Sequence, residues 1–239
     1  MDVIIVKKKI KLILLIIFLL SELILGILVQ TTNGNLNSFV MYMVVVLAFI
    51  FPLLFFDKNN DFILTLIGLL FTLGADFFLV ILVPYIELPA MISFSITQIC
   101  YFIRIFLNHK TIQEKRIHII TRITLISLII IFAVILMDGQ IDLLTLISAF
   151  YYANLISNII FAFKQTKVSI LFPIGLLLFA LCDLQVGISY VNDYYISFAN
   201  IPILNFIANP PINLAWVFYM PSQVLISLSI IKLKKEFSN

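Results

Sequence analysis

FILTLIGLLFTLGADFFLVILV, residues Phe62 to Val83, has the ~20-residue length of an apolar helix that crosses a bilayer, and it carries one carboxylate, Asp76. Hydrocarbon does not solvate a bare charge, so a carboxylate at that depth faces the inside of a helix bundle and is functional by default. Seven further apolar runs flank this one: Ile10 to Val29, Phe39 to Phe56, Ala90 to Leu107, Ile119 to Met137, Leu143 to Phe163, Ile170 to Tyr190 and Leu214 to Leu233. Eight spans fill a chain of 239 residues that is 63% hydrophobic and 11% charged. No room is left for a soluble domain, and the expected fold is all-α: a polytopic membrane bundle of eight transmembrane helices in a single integral domain, residues 1–239.

Lys and Arg orient the bundle, because cytoplasmic loops carry their excess. With eight spans, all fifteen basic residues fall on one side: Lys7, Lys8, Lys9 and Lys11, then Lys58, then Arg104, Lys110, Lys115, Arg116 and Arg122, then Lys164 and Lys167, then Lys232, Lys234 and Lys235. The other side holds Glu87, Asp138, Asp142 and Asp193 without a base. Both termini are therefore expected in the cytoplasm. Tyr42, Tyr85, Tyr190, Tyr194, Tyr195 and Trp216 lie at the outer span ends, as an interfacial aromatic belt would. The net charge of +3 follows from this topology, with attraction to anionic inner-leaflet lipid and no sign of nucleic-acid binding. Cys100 and Cys182 fall inside spans, so neither a disulfide framework nor a thiol metal site is indicated. His109 and His118 fall in the basic connection after span 4 and read as solvated loop residues, which leaves no metal-ligand cluster. Lys7 to Val29 has the basic flank and apolar run of a secretion signal but no small-residue cleavage site, so it reads as a retained first helix. The Ile, Lys and Asn content suggests an AT-rich bacterial genome, hence a multi-pass protein of a bacterial cytoplasmic membrane.

Two other carboxylates share the situation of Asp76: Glu22 in span 1 and Asp183 in span 7. At ~1.5 Å per residue, Asp76 lies roughly 21 Å, Asp183 roughly 20 Å and Glu22 roughly 18 Å from the cytoplasmic start of its span. Gly68 to Ile81 (GLLFTLGADFFLVI) aligns with Gly175 to Ile188 (GLLLFALCDLQVGI), pairing Gly68 with Gly175 and Asp76 with Asp183. Spans 3 and 7 run the same way, so the alignment suggests a parallel repeat of two four-helix halves, about 10–107 and 119–233. Helical spacing sets other polar groups in stripes: Thr65, Gly68 and Thr72 before Asp76, Gln98 with Tyr101, Tyr151 with Asn154 and Asn158, and Tyr219 with Gln223. These are expected to converge on one polar layer. Val191 to Asn213, broken by Pro202, Pro210 and Pro211, is expected to lie across the outer face as a lid.

Gly68-x7-Asp76, Gln98-x-x-Tyr101, Gly175-x7-Asp183 and Tyr219-x3-Gln223 resemble, in order and spacing, the motifs of the YhhN family of lysoplasmalogenases, roughly from span 2 onward. The chain departs from that pattern at Ala75, where the family usually has Gly, and at Gln98, where it often has His. Gln does not transfer a proton as His does, which leaves that position hydrogen bonding.

The resemblance implies hydrolysis of the vinyl ether bond of lysoplasmalogens to a fatty aldehyde and a glycerophospho-headgroup compound, with a lysophospholipid-type substrate reached from the bilayer. Vinyl ether cleavage starts by protonating the alkene carbon, and water attacks the resulting oxocarbenium ion. The chemistry asks for an acid and an acceptor, roles open to two carboxyls that share one proton. Asp76 and Asp183 are the expected catalytic pair. Gln98, Tyr101, Asn154, Tyr219 and Gln223 are expected to position water and the glycerol end, and no cofactor or metal is required. Two readings from other classes remain open: a proton-coupled transporter, with its acids near the midplane between paired halves, and a non-catalytic lipid-binding protein on the same fold.

Overall fold

The computed structural model describes residues 2–55, 58–136, 141–165, 169–194 and 202–231. The described residues are helical with short connections: α1 (Asp2–Thr31), α2 (Gly34–Leu53), α3 (Asn60–Asp76), α4 (Glu87–Leu107), α5 (Ile112–Leu136), α6 (Leu143–Lys164), α7 (Leu171–Tyr194), α8 (Pro202–Ala208) and α9 (Leu214–Leu228). Local chemistry sets where several begin. Asn59, Asp142 and Asn213 each accept a hydrogen bond from a first-turn N–H, those of Phe62 (2.8 Å), Thr145 (2.8 Å) and Trp216 (3.5 Å). Between α1 and α2 the chain turns at Gly34, whose φ of 64° lies in the left-handed region that glycine enters without steric cost.

Among the described residues seven helices are long and apolar enough to cross a membrane; α9, of fifteen residues, is apolar but shorter. Large apolar side chains stand exposed along them, among them Ile13, Ile17 and Ile24 of α1 and Ile123, Phe132 and Ile135 of α5. An apolar exterior of this breadth belongs to a protein whose solvent is lipid, so the chain is a multi-pass membrane protein. Lipid tails are as apolar as leucine, and burying such side chains between helices therefore contributes little on its own. Close packing and interhelical hydrogen bonds fix the arrangement.

Packing partners recur along the chain. In the first half α1 packs on α2, α2 on α3 and α3 on α4; in the second, α5 packs on α6, α6 on α7 and α7 on α9. The halves meet in a matching way, α4 against α6 and α9 against α2. The two aligned glycines sit at equivalent seams. A Cβ on Gly68 would lie 2.4 Å from Cε1 of Tyr101 in α4, and one on Gly175 would lie 2.8 Å from Cγ1 of Ile226 in α9. Each lets its helix pair approach more closely than any larger residue would permit.

Two expectations about the basic side need correcting. Helix α5 begins at Ile112 rather than Ile119, so His118 lies inside it, fully buried, with its ring stacked on Phe161 at 3.8 Å. Arg104 and Arg122, counted among the bases of the cytoplasmic side, lie inside α4 and α5 and are buried there. His109 does fall in the connection, where one of its ring nitrogens hydrogen bonds His118 (Nε2 to Nδ1, 2.9 Å). Partial burial lowers its pKa, although Glu114 stands 3.7 Å away. Of the segment expected as a lid, 195–201 lie outside the described residues. The short helix α8 that follows is tied to α7 by bonds from Gln185 Nε2 to Ile207 O (3.2 Å) and from Ser189 Oγ to Ala208 O (2.9 Å).

Candidate functional site

Asp76 closes the regular part of α3. The next five residues, Phe77–Ile81, form a widened π-helical turn in which the Leu82 N–H donates to Phe77 O at 3.2 Å. Such turns place an extra residue in the helix and are frequent at functional sites. The Asp76 carboxyl, 4% exposed, accepts a hydrogen bond from the Tyr219 hydroxyl of α9 at 2.5 Å. Asp183 of α7 accepts one from the Tyr151 hydroxyl of α6, also at 2.5 Å. The charge of Asp183 reaches Asp76. Phe179 stands between the two phenols, its ring centroid 5.4 Å from that of Tyr219 and 6.4 Å from that of Tyr151, and Phe94 and Trp216 extend the aromatic wall. Two acids, one from α3 and one from α7, therefore share one aromatic-walled level of the core.

The other expected residues divide differently from the single layer foreseen. Gln98, Asn154 and Asn158 lie at a second level with Arg122. That guanidinium donates to the side-chain carbonyl of Asn154 and, at 2.5 Å, to that of Asn158, while stacking on Phe102 at 3.8 Å. Asn158 donates in turn to Gln98 Oε1 at 2.9 Å. The side-chain groups of Asn154, expected to face substrate, are thus occupied: its oxygen by Arg122, its amide by Phe150 O at 2.7 Å. Tyr101 is placed against Gly68 in the α3–α4 seam, eight residues or roughly 12 Å along the helix from Asp76. Its hydroxyl is fully buried without a hydrogen-bond partner among the described residues. Gln223, one turn from Tyr219, donates to Ser222 Oγ at 3.2 Å and leaves Oε1 unpartnered among the described residues. Glu22 of α1 is 2% exposed, and neither of its carboxyl oxygens has a partner among the described residues.

Sequence reasoning missed Tyr151 as a partner of Asp183 and Arg122 as the anchor of the amides. Tyr151 did stand on the same stripe as Asn154, but which phenol meets which acid depends on how α6 is rotated, and spacing alone does not fix that. Among the described residues there is no group of three or more His, Cys, Asp or Glu placed to hold a metal ion.

Fold and site together define a membrane-embedded helical bundle with paired, phenol-bound carboxyls in its core. The YhhN family model matches residues 36–230, most of the chain, and the protein belongs to the YhhN family. No curated protein and no solved structure matches it.

Proposed function

We propose that the protein is a lysoplasmalogenase-like hydrolase in which Asp76 and Asp183 act as the acid and base on a vinyl ether. The observation that carries this reading is the pair itself: a buried and a half-buried carboxyl, each held by a phenol from another helix at one level of the core, in a chain of the YhhN family. One aspartate, protonated, delivers its proton to the β-carbon of the vinyl ether, and the oxocarbenium charge develops beside the second carboxyl. That carboxylate takes a proton from water as the oxygen adds, giving a hemiacetal. The hemiacetal then breaks its bond to the glycerol oxygen, which leaves protonated, and an aldehyde is released. Each proton taken up is returned, so the scheme balances without an oxidant or a metal. Tyr219 and Tyr151 orient the two carboxyls and restrict which oxygen carries the proton. The lipid chain lies between helices, reached from the bilayer.

The test is aldehyde release by the purified protein in detergent from a lysoplasmalogen, with an ester lysophospholipid as control. Wild type should release aldehyde and no fatty acid. Asp76→Asn and Asp183→Asn should each lower the rate by about 100-fold or more, the scale of general acid–base catalysis. Tyr219→Phe and Tyr151→Phe, which keep the acids but remove one hydrogen bond each, should cost about tenfold. An inactive wild type, or aspartate variants at full rate, would overturn the proposal. Solute uptake into proteoliposomes by that same wild type would point to transport instead.

A further inference from the structure

Helix α5 is longer than the hydrocarbon it crosses. Its 25 residues span about 37 Å, against the ~30 Å of a bilayer core. Its last turns, Ile130 to Leu136, are apolar throughout, so the surplus falls at the start, where Gln113, Glu114, Lys115 and Arg116 meet the headgroup layer. That polar turn is interrupted on one face. Ile112 and Ile120, one turn before and one turn after Arg116, are 86% and 53% exposed, and Ile123 continues the same face. Arg116 is exposed between them, while His118 and Arg122 are buried on the far side of the helix. A guanidinium therefore stands in the lipid-facing stripe of α5.

Nothing in the protein neutralises it. Among the described residues Arg116 makes no hydrogen bond, ion pair or ring contact. The one acid of this turn, Glu114, is directed elsewhere: its carboxylate accepts from the backbone N–H of Lys110 at 2.9 Å and of Thr111 at 3.4 Å, and Thr111 Oγ1 accepts in return from the Glu114 N–H at 3.1 Å. This reciprocal cap also occupies N–H groups that would otherwise face an outside anion. Lys115 lays its ammonium over the Phe106 ring at 5.4 Å, and Lys110 is exposed. Three bases thus stand against one carboxylate. Hydrocarbon does not solvate a guanidinium, and a helical side chain leans toward the N-terminus of its helix, which here is the direction of the headgroups. The group on offer there is a lipid phosphate, whose oxygens match the planar fork of arginine.

We infer that Arg116, with Lys110 and Lys115 beside it, forms a binding site on the outer face of α5 for the phosphate of an anionic membrane phospholipid. The exposed isoleucines on either side meet the glycerol and acyl carbons of the same molecule. The surplus of positive charge selects a headgroup of net negative charge over a zwitterionic one. The site uses neither aspartate, so it stands or falls apart from the proposed reaction.

The experiment follows uptake of the first phospholipid by the purified full chain, in an uncharged detergent, by native mass spectrometry. One titration uses dioleoylphosphatidylglycerol and the other dioleoylphosphatidylcholine, which share a phosphate diester and acyl chains and differ in net charge. Wild type should bind phosphatidylglycerol about tenfold or more tightly, the scale set by two basic residues in surplus. Arg116→Gln should weaken that binding about fivefold, and Arg116→Lys should keep part of it. Lys58→Gln removes an exposed base from another connection at the same end of the bundle, which Asn108 and Asp61 tie to this one, and should leave the affinity unchanged. Both positions are exposed, so the substitutions spare the core. Equal affinities for the two lipids overturn the inference. So does an Arg116→Gln variant that binds phosphatidylglycerol as wild type does, which leaves the guanidinium to water, or a Lys58→Gln loss as large as that of Arg116→Gln, which reduces the effect to net charge.

Discussion

Gly68→Ala places a methyl group where there is no room for it. The new Cβ would stand 2.4 Å from Cε1, 2.9 Å from Cζ and 3.1 Å from Cδ1 of Tyr101. Ordinary contact begins near 3.4 Å, so the ring must retreat by about 1 Å. It has no free direction, being fully buried and edge-on to Phe172 at 5.4 Å. Overpacking of this kind costs ~1–3 kcal/mol, and a rigid ring at the seam of the α3–α4 pair belongs at the upper end. Against it stands the ~1 kcal/mol by which Ala favours a helix over Gly, leaving a net loss of about 2 kcal/mol. Gly74, six residues on, supplies the control, because a Cβ there meets nothing within 4 Å. Gly74→Ala should stabilise by about 0.5–1 kcal/mol. For a chain of this size 1 kcal/mol moves the midpoint by ~2–4 °C, so the two substitutions should shift it in opposite directions, the first down by about 4–8 °C. Trp216 is the single tryptophan and packs on Tyr219 at 5.1 Å, so its fluorescence during heating in mild detergent reports the core directly. Equal midpoints for the two variants would refute the packing argument.

Further outcomes follow from the same geometry. Asn158→Leu removes the partner of both Arg122 and Gln98 and should destabilise by ~1–3 kcal/mol in denaturant titrations; an unchanged midpoint would show that the amide level bears no load. Glu22→Leu removes a buried carboxyl with no partner among the described residues and should be neutral or stabilising in the same titration, with aldehyde release unaffected. A loss of activity there would make Glu22 part of the chemistry. His109 should titrate in NMR below the ~6.5 of a free imidazole, because burial opposes its charge. With the folded value depressed, its contribution to stability is complete above about pH 6.5 and is lost as pH falls from there through the folded value. A midpoint at or above 6.5 would reverse that sign.

The helices were legible because each apolar run had to match the bilayer. Seven of the eight expected runs correspond to helices long enough to cross, and the eighth to the shorter α9. Hydropathy failed where a helix outlasts its apolar stretch. The polar turn Gln113–Arg116 ended the run that became span 5, while the backbone simply continues helical through it, which is why His118 was read as solvent-facing. Asp76 and Asp183 were legible as acids in apolar helices. Their phenols were half legible, since Tyr219 and Tyr151 lay on polar stripes whose rotation only packing decides. Arg122 was not legible at all, because its acceptors lie on another helix, more than thirty residues away. The widened turn after Asp76 leaves no compositional mark among its neighbouring Phe, Leu, Val and Ile residues.

The recurrence of packing partners between the halves does not extend to the groups that surround the acids. Asp76 receives its phenol from α9, whereas Asp183 receives its phenol from α6. The position equivalent to α9 in the other half is α4, which supplies Asp183 with no such bond among the described residues. Only Asp76 is followed by a widened turn among the described residues. Packing that recurs while the polar partners differ places two chemically identical side chains in different surroundings. On the proposed reading, that difference in surroundings is what would give a pair of like groups a direction, with one end that gives and one that receives.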